Sequence, residues 1–201
     1  MEQRYYEIHD LQTRNDSDTD LYLEGRFVVY NSDYQVWDGA TESIAPGAFR
    51  NSIHDDVRAL YNHNDDIVLG RTSAGTFSLE DREDGLWGRI KINRNDTDAM
   101  NAYERVQRGD ISGCSFGFNI KSEETENRAD GTVHWTITEV DPLFECSVCT
   151  FPAYQATHVS ARGRDFDAMK KRKLELRKQG ILKRIRGEED GNQSDCASEE
   201  N

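Results

Sequence analysis

The chain has no apolar run approaching the ~18 residues that a membrane-spanning helix requires. Its polar start, Met1-Glu2-Gln3-Arg4, lacks the hydrophobic centre of a secretory signal. A soluble, non-secreted protein with no membrane partner is therefore expected. Apolar residues are scarce as well: they make up 35% of the 201 residues, against 31% charged. One domain with a substantial core fits that balance, provided that part of the length stays outside it. Cysteine is limited to Cys114, Cys146, Cys149 and Cys196. Three of these lie in apolar strand patterns, where cysteine packs as a small hydrophobe, so a reducing compartment fits best. Cys146 and Cys149 form a Cys-x-x-Cys, but an odd separation on a strand sends them to opposite faces, and no second pair stands at zinc-finger spacing. No metal and no cofactor is expected. There is no internal repeat.

Basic charge is also short, and it is densest near the C-terminal end. Residues 1–160 hold 14 basic and 29 acidic residues, 161–186 hold 11 and 3, and 187–201 hold none and 6, within a net charge of -13. An acidic body argues against nucleic acid as a partner, while a basic segment followed by an acidic end has the look of an appended interaction element. The chain accordingly divides into a weakly ordered lead-in (1–20), a strand-rich body (21–160) and a charged C-terminal tail (161–201). In that tail a helix is expected over 167–186, with a thin apolar face.

Within the body, period-two alternation predicts strands over 21–30, 57–63, 67–69, 75–80, 86–92, 111–120, 133–138 and 143–150, and a further short one over 34–37. Asp84-Gly85 favours a hairpin. Short helices are expected over 46–54, where Pro46 suits a first turn, and over 98–108, with Thr97 or Asp98 as cap and Gly109 as terminator. The fold class is α+β: a strongly curved or closed, barrel-like antiparallel sheet, flanked by a few helices and followed by the charged helical tail.

The chemistry centres on Ile111 to Ile120. As a strand it sends Cys114, Phe116, Phe118 and Ile120 to a core face, and Gly113, Ser115, Gly117 and Asn119 to the other. Glycine two residues away on each side leaves the Ser115 hydroxyl unshielded by its own strand, as an exposed nucleophile needs. A serine needs a base, and imidazole, with its ordinary pKa near 6.5, is the side chain best suited to that task. A carboxylate or a second imidazole then fixes its tautomer. His63 closes the strand of Val57, Ala59 and Tyr61. Glu145 shares a polar face with Ser147, opposite Phe144, Cys146 and Val148, and a charge embedded there is costly unless paired. Ser112 rivals Ser115, although alternation puts it on the core side.

Five words occur in one order: Pro46-Gly47-Ala48-Phe49; Leu60-Tyr61-Asn62-His63-Asn64 with Leu69-Gly70-Arg71; Asp84-Gly85-Leu86; Gly109 to Phe118; and Leu143 to Val148 with Phe151-Pro152-Ala153. In that order, from about 21 to 158, the chain resembles the prohead (capsid maturation) protease family of tailed bacteriophages, which is distantly similar in fold to herpesvirus assemblin. The resemblance implies a serine endopeptidase that cleaves scaffolding or capsid protein segments, and itself, inside the assembling prohead in the host cytoplasm. It makes His63 the base, Ser115 the nucleophile and Glu145 the third member, with His134, since the herpesvirus relatives use a second histidine, and the nearby acid Asp141 competing for that third place. In the mechanism this suggests, backbone amides hold the oxyanion with Arg71 as a helper, or else Arg71 is a plain surface cation. The major capsid protein or its scaffolding segment would be the substrate, and self-association fits the same setting. The family often has Asp after the histidine, where this chain has Asn64. Self-cleavage would fall near 161–167. The competing class is a catalytically silent scaffold or capsid-assembly adaptor working through the charged tail.

Overall fold

Alternating apolar and polar residues run through most of the chain, and strands follow them. A computed structural model describes residues 2–6, 10–15, 20–150 and 163–186. In chain order the elements are β1 (Glu2–Tyr6), β2 (Gln12–Asn15), β3 (Leu21–Val29), β4 (Tyr34–Trp37), β5 (Ala40–Ile44), β6 (Arg58–Tyr61), β7 (Asn64–Arg71), β8 (Phe77–Arg82) and β9 (Gly85–Ile92). They are followed by α1 (Thr97–Gln107), β10 (Gly113–Asn127), β11 (Val133–Cys149) and α2 (Gly163–Arg186). The class is α+β, mostly sheet with two helices. Strands β1 and β2 lie inside the segment expected to be a weakly ordered lead-in. The end of the chain beyond Arg186 lies outside the described residues.

The expected closed barrel is not found. The strands form two open sheets, one in the order β1-β10-β11-β5-β4 with the β6–β7 hairpin attached to β11, the other in the order β2-β3-β9-β8. Nor is the larger sheet purely antiparallel. β11 accepts β10 antiparallel along one edge, and takes β5 and then β6 in parallel along the other. That is possible because β11 is one continuous 17-residue strand where two separate strands were expected. Irregular pairing between Phe118 and Ser122 absorbs the Asp141-Pro142 stretch, and proline, which cannot donate to a ladder, is tolerated at such irregularities.

The sheets share one core. Leu23, Phe27, Val28, Leu86 and Ile90 of the smaller sheet meet Cys114, Phe116, Phe118, Cys146 and Val148 of the larger in a single buried cluster. Phe116 stacks on Phe118 and meets Phe49 edge-on, with centroids 4.8 and 5.8 Å away. Burying a phenylalanine of this kind contributes about 1.5–3 kcal/mol. The face of β10 assigned to the core from its alternation is therefore the face that builds it.

Helix α1 buries Ala99, Ala102, Tyr103 and Val106. Asp96, one residue before the expected caps, holds the helix start by accepting from the Asp98 and Ala99 amides. At the other end Gly109 adopts φ +80°, its amide returns to the Val106 carbonyl, and the Asp110 amide returns to that of Arg105. This Schellman closure delivers the chain straight into β10. The helix expected over 46–54 is instead a string of turns. Gly47 at φ +79° interrupts the right-handed run, although Phe49 still reaches the core and Ile53 packs on it.

Helix α2 begins at Gly163, four residues before its expected start, and continues through Gly180. Met169 is buried among Trp37, Ala40, Val133 and Trp135 and Arg172 donates to the Asn127 side chain and the Arg128 carbonyl, while Leu174, Ile181 and Leu182 are exposed.

Candidate active site

The site is assembled where β6, β10 and β11 meet. β6 lies parallel to β11 from Arg58↔Glu145 to Tyr61↔Val148, and then the chain reverses. Tyr61 pairs with Asn64, so Asn62 and His63 are the two central residues of a tight turn, with φ +52° and +58°. Positive φ at both positions is what a primed two-residue hairpin turn requires. The usual occupants are Asn and Gly, so a histidine here is held in a sparsely populated conformation. His63 was expected to end a strand; it sits instead in this turn. The turn is pinned to β11: the Asn62 amide donates to the Val148 carbonyl at 2.9 Å, and its side chain both accepts from the Thr150 amide and donates to the Thr150 hydroxyl.

The reversal carries the imidazole over β11. His63 Nδ1 lies 2.7 Å from Glu145 Oε1, with both side chains largely buried. A carboxylate at that distance accepts from an Nδ1–H and so fixes the tautomer that leaves Nε2 as the basic nitrogen. The second carboxylate oxygen is also held, because the Ser147 hydroxyl donates to Glu145 Oε2 at 2.5 Å. Ser147 Oγ in turn accepts from the His63 amide at 3.2 Å. Glu145 is thus a buried charge with a donor on each oxygen, which is the condition under which burial of a carboxylate is tolerated.

Strand β10 supplies the other half. Ser115 is the direct antiparallel partner of Ser147, and Gly117 of Glu145. Directly opposed residues share a face, with Cβ atoms about 4.5–5.5 Å apart. The Glu145 side chain therefore lies over Gly117, where a Cβ would come within 2.6 Å of Oε1. Glycine is needed at 117 because the carboxylate occupies the space.

Three of the sequence-based candidates thus fall on one face: His63 and Glu145 in contact, and Ser115 on the neighbouring strand. Ser115 itself is fully buried, against the expectation of an exposed hydroxyl. Of its rivals, Ser112 is exposed and precedes β10. His134 lies 11 residues up β11 from Glu145 and is spanned by the Thr41 and Ser43 hydroxyls at 2.7 and 2.9 Å. Asp141 pairs with Lys121 at 3.0 Å on the surface. Arg71 is taken by Asp56, which grips the guanidinium through both oxygens, and those bonds hold the Asp56 carboxyl well below the usual range. Arg71 is therefore committed to an ion pair rather than presented to a developing oxyanion.

The expected facing of Phe144 with Cys146 and Val148 does not hold. The register steps from Gly117↔Glu145 to Phe118↔Leu143, so Phe144 is the extra residue of a bulge and Leu143 takes the core position. Ser147 is the residue that the sequence did not single out. Its alternation with Glu145, opposite Ser115, was the signal that could have found it.

Among the described residues no group of three or more His, Cys, Asp or Glu is arranged to hold a metal ion. Burial, and then the Glu145 charge, push the Cys149 thiol up to about 12; burial raises Cys114 and Cys146 as well. These are packing thiols.

The fold is thus an open pair of β-sheets that holds a histidine in contact with a buried glutamate, with a serine on the adjoining strand. The chain belongs to the caudovirus prohead serine protease family, whose profile matches residues 9–172. It is similar to the prohead protease of Enterobacteria phage HK97, with 28% identity over 142 residues, covering 69% of this chain and 60% of that protein. The chain thus spans less than two thirds of that relative's length. The solved structure of the bacteriophage T4 capsid assembly protease, gp21, aligns with a TM-score of 0.43 at 12% identity, covering 75% of this chain and 97% of that one.

Proposed function

We propose that this chain is a serine endopeptidase of capsid maturation, with Ser115 as nucleophile, His63 as general base and Glu145 as the group that orients the base. The observation that carries this reading is the 2.7 Å contact between His63 Nδ1 and Glu145 Oε1. With Nδ1–H committed to the carboxylate, Nε2 is the nitrogen able to take the Ser115 proton as Oγ attacks a scissile carbonyl, and to return it to the leaving amine. An acyl group on Ser115 is then released by water. Glu145 faces the imidazolium across the same contact and stabilises it. Because Ser115 is buried, the chain that covers it must shift before a peptide can reach the hydroxyl.

Family membership supports scaffolding segments or the major capsid protein as substrate, with the assembling prohead as the place of action. Self-cleavage, including removal of the tail from about residue 161 onward, and self-association belong to the same reading. A silent adaptor would have no use for a buried, doubly held carboxylate against a histidine.

The test is labelling of the full chain with a fluorophosphonate probe, followed by peptide mass mapping. The label is expected on Ser115 and is expected to vanish in Ser115→Ala and His63→Ala, with cleavage of a capsid or scaffold polypeptide falling about 10⁴-fold or more. Undiminished cleavage by Ser115→Ala overturns the assignment.

A further inference from the structure

We propose that Ser147 is a positioning residue that sets the Glu145 carboxylate and the His63 turn in one geometry; this rests on the reading of Ser115 as nucleophile. Its hydroxyl oxygen stands 2.5 Å from Glu145 Oε2, 3.2 Å from the His63 amide nitrogen and 3.4 Å from His63 Nδ1. A hydroxyl has one proton to give and two lone pairs to receive with. The short contact to a carboxylate takes the proton, since O–H···O⁻ bonds are the shortest and strongest of the three. The His63 amide then donates into a lone pair on the same oxygen.

Two consequences follow from that single atom. The carboxylate cannot rotate about its terminal bond, because each of its oxygens has its own donor, so Oε1 stays in line with Nδ1–H. The backbone of His63, at φ +58° in a turn that a non-glycine residue resists, is anchored to the strand that bears the carboxylate. Ser147 therefore ties together the two groups whose relative placement decides whether Nε2 is basic and correctly aimed. Its own hydroxyl lies beside Nδ1 with its proton given to Glu145, away from the basic nitrogen. It is thus a support for the base, and a second nucleophile is not what this geometry provides. Ser115, one rung across on β10, is the hydroxyl left for that role.

The experiment measures the limiting rate and the half-saturation concentration for fluorophosphonate labelling of the full chain. In that reaction Ser115 Oγ bonds to phosphorus, fluoride leaves and the proton passes to His63. In Ser147→Ala and in the near-isosteric Ser147→Cys, the limiting rate is expected to fall roughly tenfold to a hundredfold, the usual cost of a small misplacement of reacting groups. Half-saturation is expected to stay within about twofold of the parent, because probe binding is not at issue. Ser147→Thr, which keeps the hydroxyl, is expected to recover most of the rate. The cysteine variant decides the matter if alanine fails to fold. Parent rates in both the alanine and cysteine variants, a folded threonine variant as slow as cysteine, or a label found on Ser147 would each overturn the proposal. Absence of label on Ser115 in the parent chain would instead overturn the nucleophile assignment on which it rests.

Discussion

At the scale of single residues, the site depends on what one position leaves out. Gly117 has no Cβ because Glu145 Oε1 lies where one would go. Gly117→Ala must push the carboxylate aside, and displacing the tip of a side chain is cheaper than moving backbone. Overpacking of this sort costs about 1–3 kcal/mol. The variant is expected to fold with a lowered melting temperature, seen by calorimetry, and to lose most labelling of Ser115. Cys149, on the same strand face two residues beyond Ser147, gives a second expectation. With its thiol pushed up to about 12, it is fully protonated near neutrality. Iodoacetamide at pH 8 is expected to leave Cys114, Cys146 and Cys149 unmodified in native protein and to alkylate all three in urea, read by peptide mass. His63, Ser115 and Glu145 stood out in the sequence as candidates because each breaks its local pattern: an imidazole before a polar break, a hydroxyl between glycines, a charge in an apolar strand. Ser147 breaks nothing. A serine on the polar face of a strand becomes informative only once its cross-strand partner is known.

At the scale of elements, local chemistry wrote most strands and the 97–107 helix plainly, because alternation, a helical apolar face and a terminating glycine are all short-range signals, although the cap proved to be Asp96. It failed where one residue changed the frame. Gly47 in the left-handed region turned an expected helix into successive turns, and the extra residue at Phe144 exchanged the faces on either side of it. The two-residue turn at Asn62-His63 was missed for a similar reason: without glycine after Asn62, only half of the usual Asn-Gly signal for two consecutive positive φ values is present. That turn supports a direct test. Asn62→Val places a β-branched side chain at φ +52° and removes both bonds to Thr150. It is expected to cost about 1–3 kcal/mol in urea unfolding and to slow Ser115 labelling, while Asn62→Gly, which tolerates the backbone, loses less stability.

At the scale of the whole molecule, the parallel attachment of β5 and β6 to one strand could not be read from periodicity, since neither direction nor partner is encoded in a run of alternating residues. The closed sheet expected from the sequence is instead two open sheets, and the core they share ties the site to global stability. Phe116 lies on the reverse of the Ser115 strand, against Phe49 and Phe118. Phe116→Ala is expected to lower unfolding free energy by about 3–5 kcal/mol, measured by denaturant titration, with labelling lost in step with folded fraction. The β6–β7 hairpin stands apart from this core arrangement in one respect: it is joined to β11 by only four paired positions, whereas β10 runs alongside β11 from Gly113 to Asn127. The imidazole is thus carried on a short ladder, steadied by Ala59 and Leu69 in the core, and the hydroxyl on a long seam. The shorter ladder has fewer bonds to lose, so in native-state hydrogen exchange its amides are expected to open before those of the seam.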